Sequence, residues 1–337
     1  MIRKLFSLLI VCAIAISVLA IDVKINLLTS VPVAKTAYFE LTPGTSLRAL
    51  AAKLQQQGLT TRPLYIVAYA RLNGISTRLQ AGEYSVEPGM SVLDLLRKMQ
   101  NGEVRLYSFT IVEGWTFRQL LDALGKNEAL QRTIDRNTDT GRIVMRALGR
   151  PDVHPEGQFL PDTYLFAKGT TDIEFLRRAN SALQNRLQSE WEGRAPGLPL
   201  RTPYEALILA SIIEKETAVT AERPLIAAVF VNRLNKRMRL QTDPTVIYGL
   251  GEGFDGNIRF RDLRQDTPYN TYTRAGLPPT PIALPGAEAI HAALHPQASP
   301  VLYFVSRGDG SHVFSADLAT HEAAVDQYQR RAHVRSR

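Results

Sequence analysis

The sequence predicts an α+β protein in three parts: a single N-terminal transmembrane helix, a small α+β module and a larger α+β domain. Three observations lead to this prediction. An apolar run follows two positive charges at the N-terminus, a strand–glycine–helix motif occurs three times, and helical periodicity alternates with proline-rich loops in the remaining sequence. With 337 residues, 45% of them hydrophobic, the chain can bury the core of one large domain or of two ordinary ones.

The N-terminal segment has the composition of a membrane anchor. Arg3 and Lys4 precede an almost unbroken apolar run from Leu5 to Ile21, whose 17 residues are at the short end for a membrane span. Because the positive charges come first, we expect residues 1–4 to stay in the cytoplasm and the rest of the chain to be exported. A cleaved signal peptide is the alternative, since "SVLA" has the small-residue spacing of a cleavage site. The length of the apolar run favours a retained anchor.

The repeated motif predicts the small module. Its copies are "FELTPGTSLRALAAKL", "YSVEPGMSVLDLLRKM" and "FTIVEGWTFRQLLDAL", and in each a glycine supplies a turn before a Ser or Thr that can cap a helix. These predicted N-caps are Ser46, Ser91 and Thr116. A further helix is predicted over "RPLYIVAYARLNG", so residues 38–103 are predicted to form a strand, two helices, a second strand and a third helix, in that order.

The β-α-α-β part of this segment resembles LysM modules. That resemblance implies binding to the glycan of peptidoglycan, and a structural module that binds no sugar is the alternative. Residues 104–337 form the larger predicted domain, with helices over "YEALILASIIEKET" and "RPLIAAVFVNRLNKR". In "QTDPTVIYGLG" we expect Asp243 to cap a helix that Pro244 begins and Gly251 ends, and we expect a hairpin across Gly308–Gly310.

Charge and cysteine content limit the classes of partner. The net charge of +8 suits an anionic partner, but no run of five or more like charges occurs, so we expect no nucleic acid. Cys12 is the single cysteine, which excludes an intramolecular disulfide and a thiolate zinc cluster. His291 and His295 lie four positions apart in "AIHAALHP", without the glutamate of zinc proteases. We expect a solvated helix face there, and no metal site or cofactor.

Three glutamates follow the apolar run "ALILASII": Glu214, Glu216 and Glu222. On a helical wheel Glu216 lies on the stripe of bulky aliphatic residues, whereas Glu214 shares its face with small side chains. Glu222 lies past the helix end, and we expect it to be exposed or paired. Burial against aliphatic groups disfavours the charged carboxylate, so Glu216 should keep its proton near neutral pH, as a general acid for glycoside cleavage must. The alternative is that Glu216 pairs with a basic residue such as Arg233.

The stretches "LASIIEKETAVTAERPLIAAVFVNRLNKRMRLQTDPTVIYGLG", "EGQFLPDTYLF" and "NTYTRAGLPPTPIALPG" resemble the signatures of the YceG-like (MltG) family of endolytic murein transglycosylases. The resemblance extends from the anchor to the last helix. It implies a single-pass inner-membrane enzyme whose catalytic domain, residues 104–337, lies in the periplasm and cuts nascent peptidoglycan strands. It also implies peptidoglycan, the inner membrane and peptidoglycan synthases as partners.

The resemblance places the catalytic glutamate in the motif E-K-E-T. Lytic transglycosylases of other families carry Glu-Ser after a buried helix, and Glu216-Thr217 matches that pattern better than Glu214-Lys215. It implies that Glu216 protonates the bond between MurNAc and GlcNAc and then, as a base, helps the C6 hydroxyl to form a 1,6-anhydroMurNAc end.

Further polar residues lie within the stretches that resemble the family signatures, and we expect them to bind substrate. They are Glu214, Asn232, Arg233, Gln241, Asp243, Asn270 and Tyr272. The helix cap is the preferred role for Asp243, and core packing is the alternative for Tyr248. Glu156, Asp162 and Tyr164 are expected on a structured loop that lines a cleft.

Three other functions compete with the transglycosylase. A non-catalytic peptidoglycan-binding scaffold would need no Glu216, and a muramidase hydrolase usually needs a second carboxylate. A soluble lyase with pyridoxal phosphate would need a Schiff-base lysine such as Lys215, and the membrane anchor argues against it.

Overall fold

We analysed a computed structural model, which describes residues 2–75, 77–136 and 139–330. Its mixture of helices and small sheets confirms the α+β class and the single N-terminal apolar helix. The chain divides into two compact units. The first comprises Met1–Tyr107 and Leu165–Thr170, and the second comprises Ser108–Tyr164 and Thr171–Arg337.

The N-terminal helix α1 spans Ile2–Leu28 and is apolar and long enough to serve as a single-pass membrane anchor. It continues beyond the predicted apolar run, and its last two turns pack against the core of the first unit. Leu27 is buried in the core of that unit, and the Asp22 carboxylate accepts hydrogen bonds from Arg62 at 2.7 Å and from the Tyr65 hydroxyl at 2.6 Å. These contacts attach the C-terminal end of α1 to the rest of the first unit.

The rest of the first unit follows the predicted order of strand, helix, helix, strand and helix. Strands β1 and β2 pair antiparallel, from Ala37 opposite Val86 to Leu41 opposite Gly82. Ser46 and Ser91 accept hydrogen bonds from the amides of Ala49 and Asp94, so both predicted caps are confirmed. The elements are β1 (Ala37–Leu41), α2 (Leu47–Gln56), α3 (Pro63–Leu72), β2 (Gly82–Val86) and α4 (Val92–Asn101).

Strand β3 (Leu106–Thr110) pairs with β4 (Thr163–Ala167), and the division between the units falls within both strands. After β3 the third copy of the motif enters helix α5 (Phe117–Leu124), which Thr116 caps as predicted. Helix α6 spans Thr140–Ala147.

The core of the second unit surrounds helix α8. Residues Ala206 to Ile213 of this helix are all buried, because their side chains are apolar or small on every face. Helices α7, α9 and α12 contact it. The four helices are α7 (Asp172–Glu192), α8 (Pro203–Glu216), α9 (Arg223–Asn235) and α12 (Ala287–Leu294).

The second unit also contains the predicted hairpin, in which β5 pairs antiparallel with β6. Its remaining elements are α10 (Asp243–Leu250), α11 (Phe260–Arg264), β5 (Tyr303–Ser306), β6 (His312–Ser315), α13 (Leu318–Val325) and a π-helical turn (Asp326–Arg330).

One predicted helix start is wrong. Helix α10 begins at Asp243 itself, and Thr242 is the N-cap residue, without a side-chain capping bond. The Asp243 carboxylate instead accepts a hydrogen bond from the hydroxyl of Tyr272, 2.5 Å away. The predicted stop at Gly251 is confirmed, since that residue has φ of 53°, which favours glycine.

Candidate active site

Helix α8 presents Glu216 at its last position. Thr202 caps the helix by accepting from the amide of Glu205, and Pro203 occupies the first turn, where its missing amide is not needed. Thr217 then turns into an extended conformation. The Glu216 carboxyl therefore lies at the end of a rigid, buried helix.

Glu216 lines a cavity of about 490 Å³. The hydroxyl of Thr242 donates a hydrogen bond to Glu216 Oε1. Burial, and to a smaller extent nearby Asp243, raise the pKa of Glu216, while the Thr242 hydrogen bond and the charge of Arg233 lower it, and together they bring it to about 7. Glu216 therefore holds its proton to a higher pH than an ordinary glutamic acid does.

Five of the eight predicted site residues line this one cavity: Glu216, Arg233, Gln241, Asp243 and Tyr272. Gln241 holds a left-handed backbone with φ of 53°, which is uncommon for a residue with a side chain. Burial raises the pKa of the Tyr272 hydroxyl, and so does its hydrogen bond to Asp243, so this phenol stays neutral.

Arg233 does not form the ion pair with Glu216 that was the alternative interpretation, as far as the described residues show. Its guanidinium donates to the backbone carbonyls of Leu302 and Leu240, both at 2.7 Å, and lies 5.2 Å from the ring centre of Tyr303. Arg233 thus joins α9 to the hairpin while its positive charge still acts on the cavity.

The other three predicted residues do not line the cavity. Glu214 is nearly buried, pairs with Arg223 at 2.9 Å and accepts from the amide of Gly286 at 2.9 Å; burial raises its pKa. The Asn232 amide donates to two backbone carbonyls, Ser299 and Val301, at 2.8 Å each. These contacts connect helix ends to the loops beside the cavity.

Asn270, in the proline-rich loop, also holds backbone groups in place. Its amide group donates to three backbone carbonyls, at Asp262, Leu263 and Gln265, and its carbonyl oxygen accepts from the amide of Tyr272 at 2.8 Å. Asn270 therefore fixes the loop that carries Tyr272.

Sequence reasoning missed the other cavity residues, among them Thr242, Tyr303, His312 and His321. The ring of His321 stacks on Tyr303 with centroids 5.0 Å apart, and burial lowers its pKa. His312 contacts Glu222, with Nδ1 2.7 Å from the carboxylate, so Glu222 is paired as expected. Thr242 lies between the predicted residues Gln241 and Asp243, whereas no short-range signal could have found Tyr303, His312 or His321, because the hairpin and α13 reach the cavity only through packing.

A further carboxyl with a raised pKa, that of Glu156, lies at another cavity of about 660 Å³, which Lys215 and Tyr248 also help to line. Glu156 accepts from the amide of Phe117 at 2.8 Å and from the Tyr248 hydroxyl at 3.2 Å. Burial raises its pKa to about 7. Tyr248 therefore does not only pack in the core, because its hydroxyl also donates a hydrogen bond to a buried carboxyl.

The expected loop position is wrong for Tyr164. It lies in β4, is buried, and packs edge-on against Phe175 at 5.5 Å. Asp162 directly precedes that strand, and its carboxylate accepts from the amide of Thr163 at 2.6 Å.

A carboxyl that holds its proton near neutral pH in an open cavity has the property that a general acid requires. Residues 39–327 match the profile of the YceG-like family, and the chain belongs to that family. The resemblance found in the sequence motifs is thereby confirmed.

Proteins of established name and one solved structure are similar to this chain. The endolytic murein transglycosylase of Bacillus subtilis (strain 168) is 31% identical over 308 residues, which cover 87% of this chain and 85% of that protein. The endolytic murein transglycosylase of Streptococcus pneumoniae (strain D39) is 30% identical over 305 residues, which cover 81% of this chain and 55% of that protein. A crystal structure of a yceG-like protein from Listeria monocytogenes matches with a TM-score of 0.54 and 30% identity, over 86% of this chain and 99% of that one.

Proposed function

We propose that this chain is an endolytic peptidoglycan lytic transglycosylase, a lyase acting on polysaccharides, in which Glu216 is the catalytic acid and base. The observation that supports this most is the Glu216 carboxyl, which has a pKa near 7 and lines a cavity with polar and aromatic walls. The names of the relatives from Bacillus subtilis and Streptococcus pneumoniae agree with it.

The reaction has two steps and one carboxyl serves both. Protonated Glu216 gives its proton to the oxygen that links MurNAc to GlcNAc, and the bond from that oxygen to C1 breaks. The N-acetyl group of MurNAc stabilises the positive charge at C1. The Glu216 carboxylate then takes the proton of the C6 hydroxyl, whose oxygen bonds to C1 and forms the 1,6-anhydro ring, so that no water is consumed.

The other cavity residues would orient the sugar and tune the acid. Thr242 fixes one oxygen of Glu216, and the other oxygen would transfer the proton. Arg233, Gln241 and the hydrogen-bonded pair of Asp243 and Tyr272 offer polar contacts and a neutral aromatic face to a pyranose ring. Glu214, Asn232 and Asn270 act as positioning residues through the helix ends and loops that they hold.

We further propose that the chain is held in the inner membrane by residues 5–21, with residues 104–337 catalysing the reaction in the periplasm. Cutting within nascent strands would end glycan elongation, next to peptidoglycan synthases. The segment 38–103, which resembles LysM modules, would bind glycan. Its strand–helix–helix–strand order is compatible with that role.

A muramidase hydrolase is the second candidate, because a carboxylate from elsewhere in the fold reaches the cavity. Asp243 lines it with Glu216 and is close enough to raise the pKa of that group. Asp243 would then have to position a water molecule or attack C1. Its carboxylate already accepts a hydrogen bond from the Tyr272 hydroxyl at 2.5 Å, so it is less free to hold a water molecule or to attack C1, which favours the reaction with one carboxyl.

Product chemistry separates these functions. The full chain, purified in detergent, is incubated with isolated sacculi, and the products are analysed by mass spectrometry with and without borohydride. The transglycosylase gives fragments of mixed length whose new MurNAc ends are lighter by one water and resist reduction. Reducible MurNAc ends as the main product would establish the hydrolase, and glycan binding without any cleavage would establish the scaffold.

A further inference from the structure

Two histidines and a glutamate converge on the outside of the second unit, where helices α7 and α12 pack together. His291 Nδ1 lies 2.9 Å from Glu190 Oε2, and His295 Nε2 lies 3.2 Å from the same oxygen. One donor atom from each of the three side chains lies within 4.8 Å of the others. We propose that Glu190, His291 and His295 form a binding site for a divalent transition metal ion, with zinc as the ion it fits best.

The spacing of the donor atoms fits zinc. A tetrahedral ion with bonds of about 2.0–2.1 Å holds its ligands roughly 3.3 Å apart. The two measured nitrogen–oxygen distances, 2.9 and 3.2 Å, are close to that value, so small side-chain rotations would admit the ion. The imidazole rings already lie side by side, with centroids 4.4 Å apart, because residues four positions apart share one face at the end of α12.

The chemistry of the donors favours zinc over magnesium or calcium. Two imidazole nitrogens and one carboxylate oxygen suit zinc and its neighbours, whereas magnesium and calcium prefer oxygen ligands alone. Each imidazole has a ring nitrogen within 3.2 Å of the same carboxylate oxygen, so one ion between them could contact all three side chains.

Arg186 supports the carboxylate from its other side. Its guanidinium lies 3.0 Å from Glu190 Oε1, so this oxygen is engaged and Oε2 is left to the imidazoles. Such an outer contact orients a metal ligand. The positive charge of Arg186 also weakens the attraction of a cation, so we expect micromolar rather than nanomolar affinity.

The site is open to solvent, with exposed side-chain fractions of 14% for Glu190, 29% for His295 and 48% for His291. An ion can enter, and water can supply the fourth ligand. The residues that line the Glu216 cavity do not include these three. A bound ion would therefore clamp α7 to α12, which packs against α8, and would stabilise the fold without taking part in the reaction.

The test uses the full chain, without an affinity tag and stripped of metal, in detergent. Zinc chloride is titrated by calorimetry, and thermal unfolding is followed with and without zinc. We expect one zinc ion per chain, a dissociation constant of about 1 μM and a rise in Tm of several degrees. Cobalt(II) should give the visible absorption of a tetrahedral site, and magnesium and calcium should have no effect.

Variants of the three proposed ligands test whether the ion binds at this site. His291→Gln, His295→Ala and Glu190→Gln should each weaken zinc binding at least tenfold and remove the rise in Tm. Glu192→Gln is the matched control on the same helix, since Glu192 is exposed and bonded only to Gln188 in the described structure, and it should bind zinc normally. Circular dichroism of the metal-free variants checks that each is folded. No zinc uptake by the parent chain, or equal uptake by the three ligand variants, would overturn the proposal.

Discussion

Thr242 donates its hydroxyl to the carboxyl of Glu216, and this contact joins the start of α10 to the end of α8 across 26 positions of sequence. It fixes one oxygen of the proposed catalytic acid and lowers its pKa, while burial raises the same pKa, and the net value is about 7. The balance of these two effects decides at which pH Glu216 can give a proton.

Replacing the Thr242 hydroxyl should shift the pH profile of kcat/KM. In Thr242→Val the hydrogen bond to the carboxylate is lost, so the pKa of Glu216 should rise, and the alkaline fall of kcat/KM should shift upward by about one pH unit. Thr242→Ser keeps the donor and should retain the parent profile. A Val variant that loses activity equally at every pH would show that Thr242 only supports the fold.

The parent enzyme should lose activity as the pH rises above about 7. The acid must be protonated at the start of the reaction, so kcat/KM should be level below the pKa and fall tenfold per pH unit above it. Glu156 also has a pKa of about 7, so Glu156→Gln is the control. If the alkaline limb disappears in Glu156→Gln while activity remains, the limb belongs to Glu156 and the assignment to Glu216 is wrong.

Glu216→Gln should reduce glycan cleavage by at least about a hundredfold, because the amide is nearly isosteric and cannot transfer the proton. Glu214→Gln is the matched comparison two positions earlier. It breaks a buried pair with Arg223, so it should cost roughly 3 kcal/mol of stability but keep most of its turnover per folded molecule. Loss of turnover in a well-folded Glu214→Gln, with near-normal turnover in Glu216→Gln, would reverse the assignment within the motif.

The same Glu216→Gln variant should be more stable than the parent at alkaline pH. The folded-state pKa of Glu216, about 7, lies above the ordinary value of 4.5, so the folded protein binds the proton more tightly than the unfolded chain. Its contribution to stability is therefore lost as pH rises from about 4.5 to 7, by up to about 3 kcal/mol. Urea unfolding of both proteins at pH 5 and pH 8 should show the difference growing with pH, and a constant difference would contradict the raised pKa.

The topology of α1 can be tested directly. A phosphatase reporter fused after residue 337 should be active, because Arg3 and Lys4 keep the N-terminus in the cytoplasm. The protein should sediment with the inner membrane. Isolation of a soluble mature chain that starts at Ile21 would show instead that the segment is a cleaved signal peptide.

Much of the fold could be predicted because its signals are local. The caps at Ser46, Ser91 and Thr116 depend on a hydroxyl and an amide three positions apart, and the hairpin depends on a short turn rich in glycine. The cap predicted at Asp243 was wrong because a hydroxyl from another part of the chain, that of Tyr272, binds its carboxylate.

The sequence by itself determined the long apolar N-terminal helix, the order of elements in the module, and a glutamate at the end of a buried helix, since each depends on a hydrophobic pattern within a few turns. Only the tertiary structure decided that Thr242, Arg233 and the pair of Asp243 and Tyr272 share one cavity with Glu216. It likewise brought Glu190 to His291, from 101 positions away. The physical reason is that a contact between distant positions depends on how whole helices and loops pack, and no local pattern records that packing.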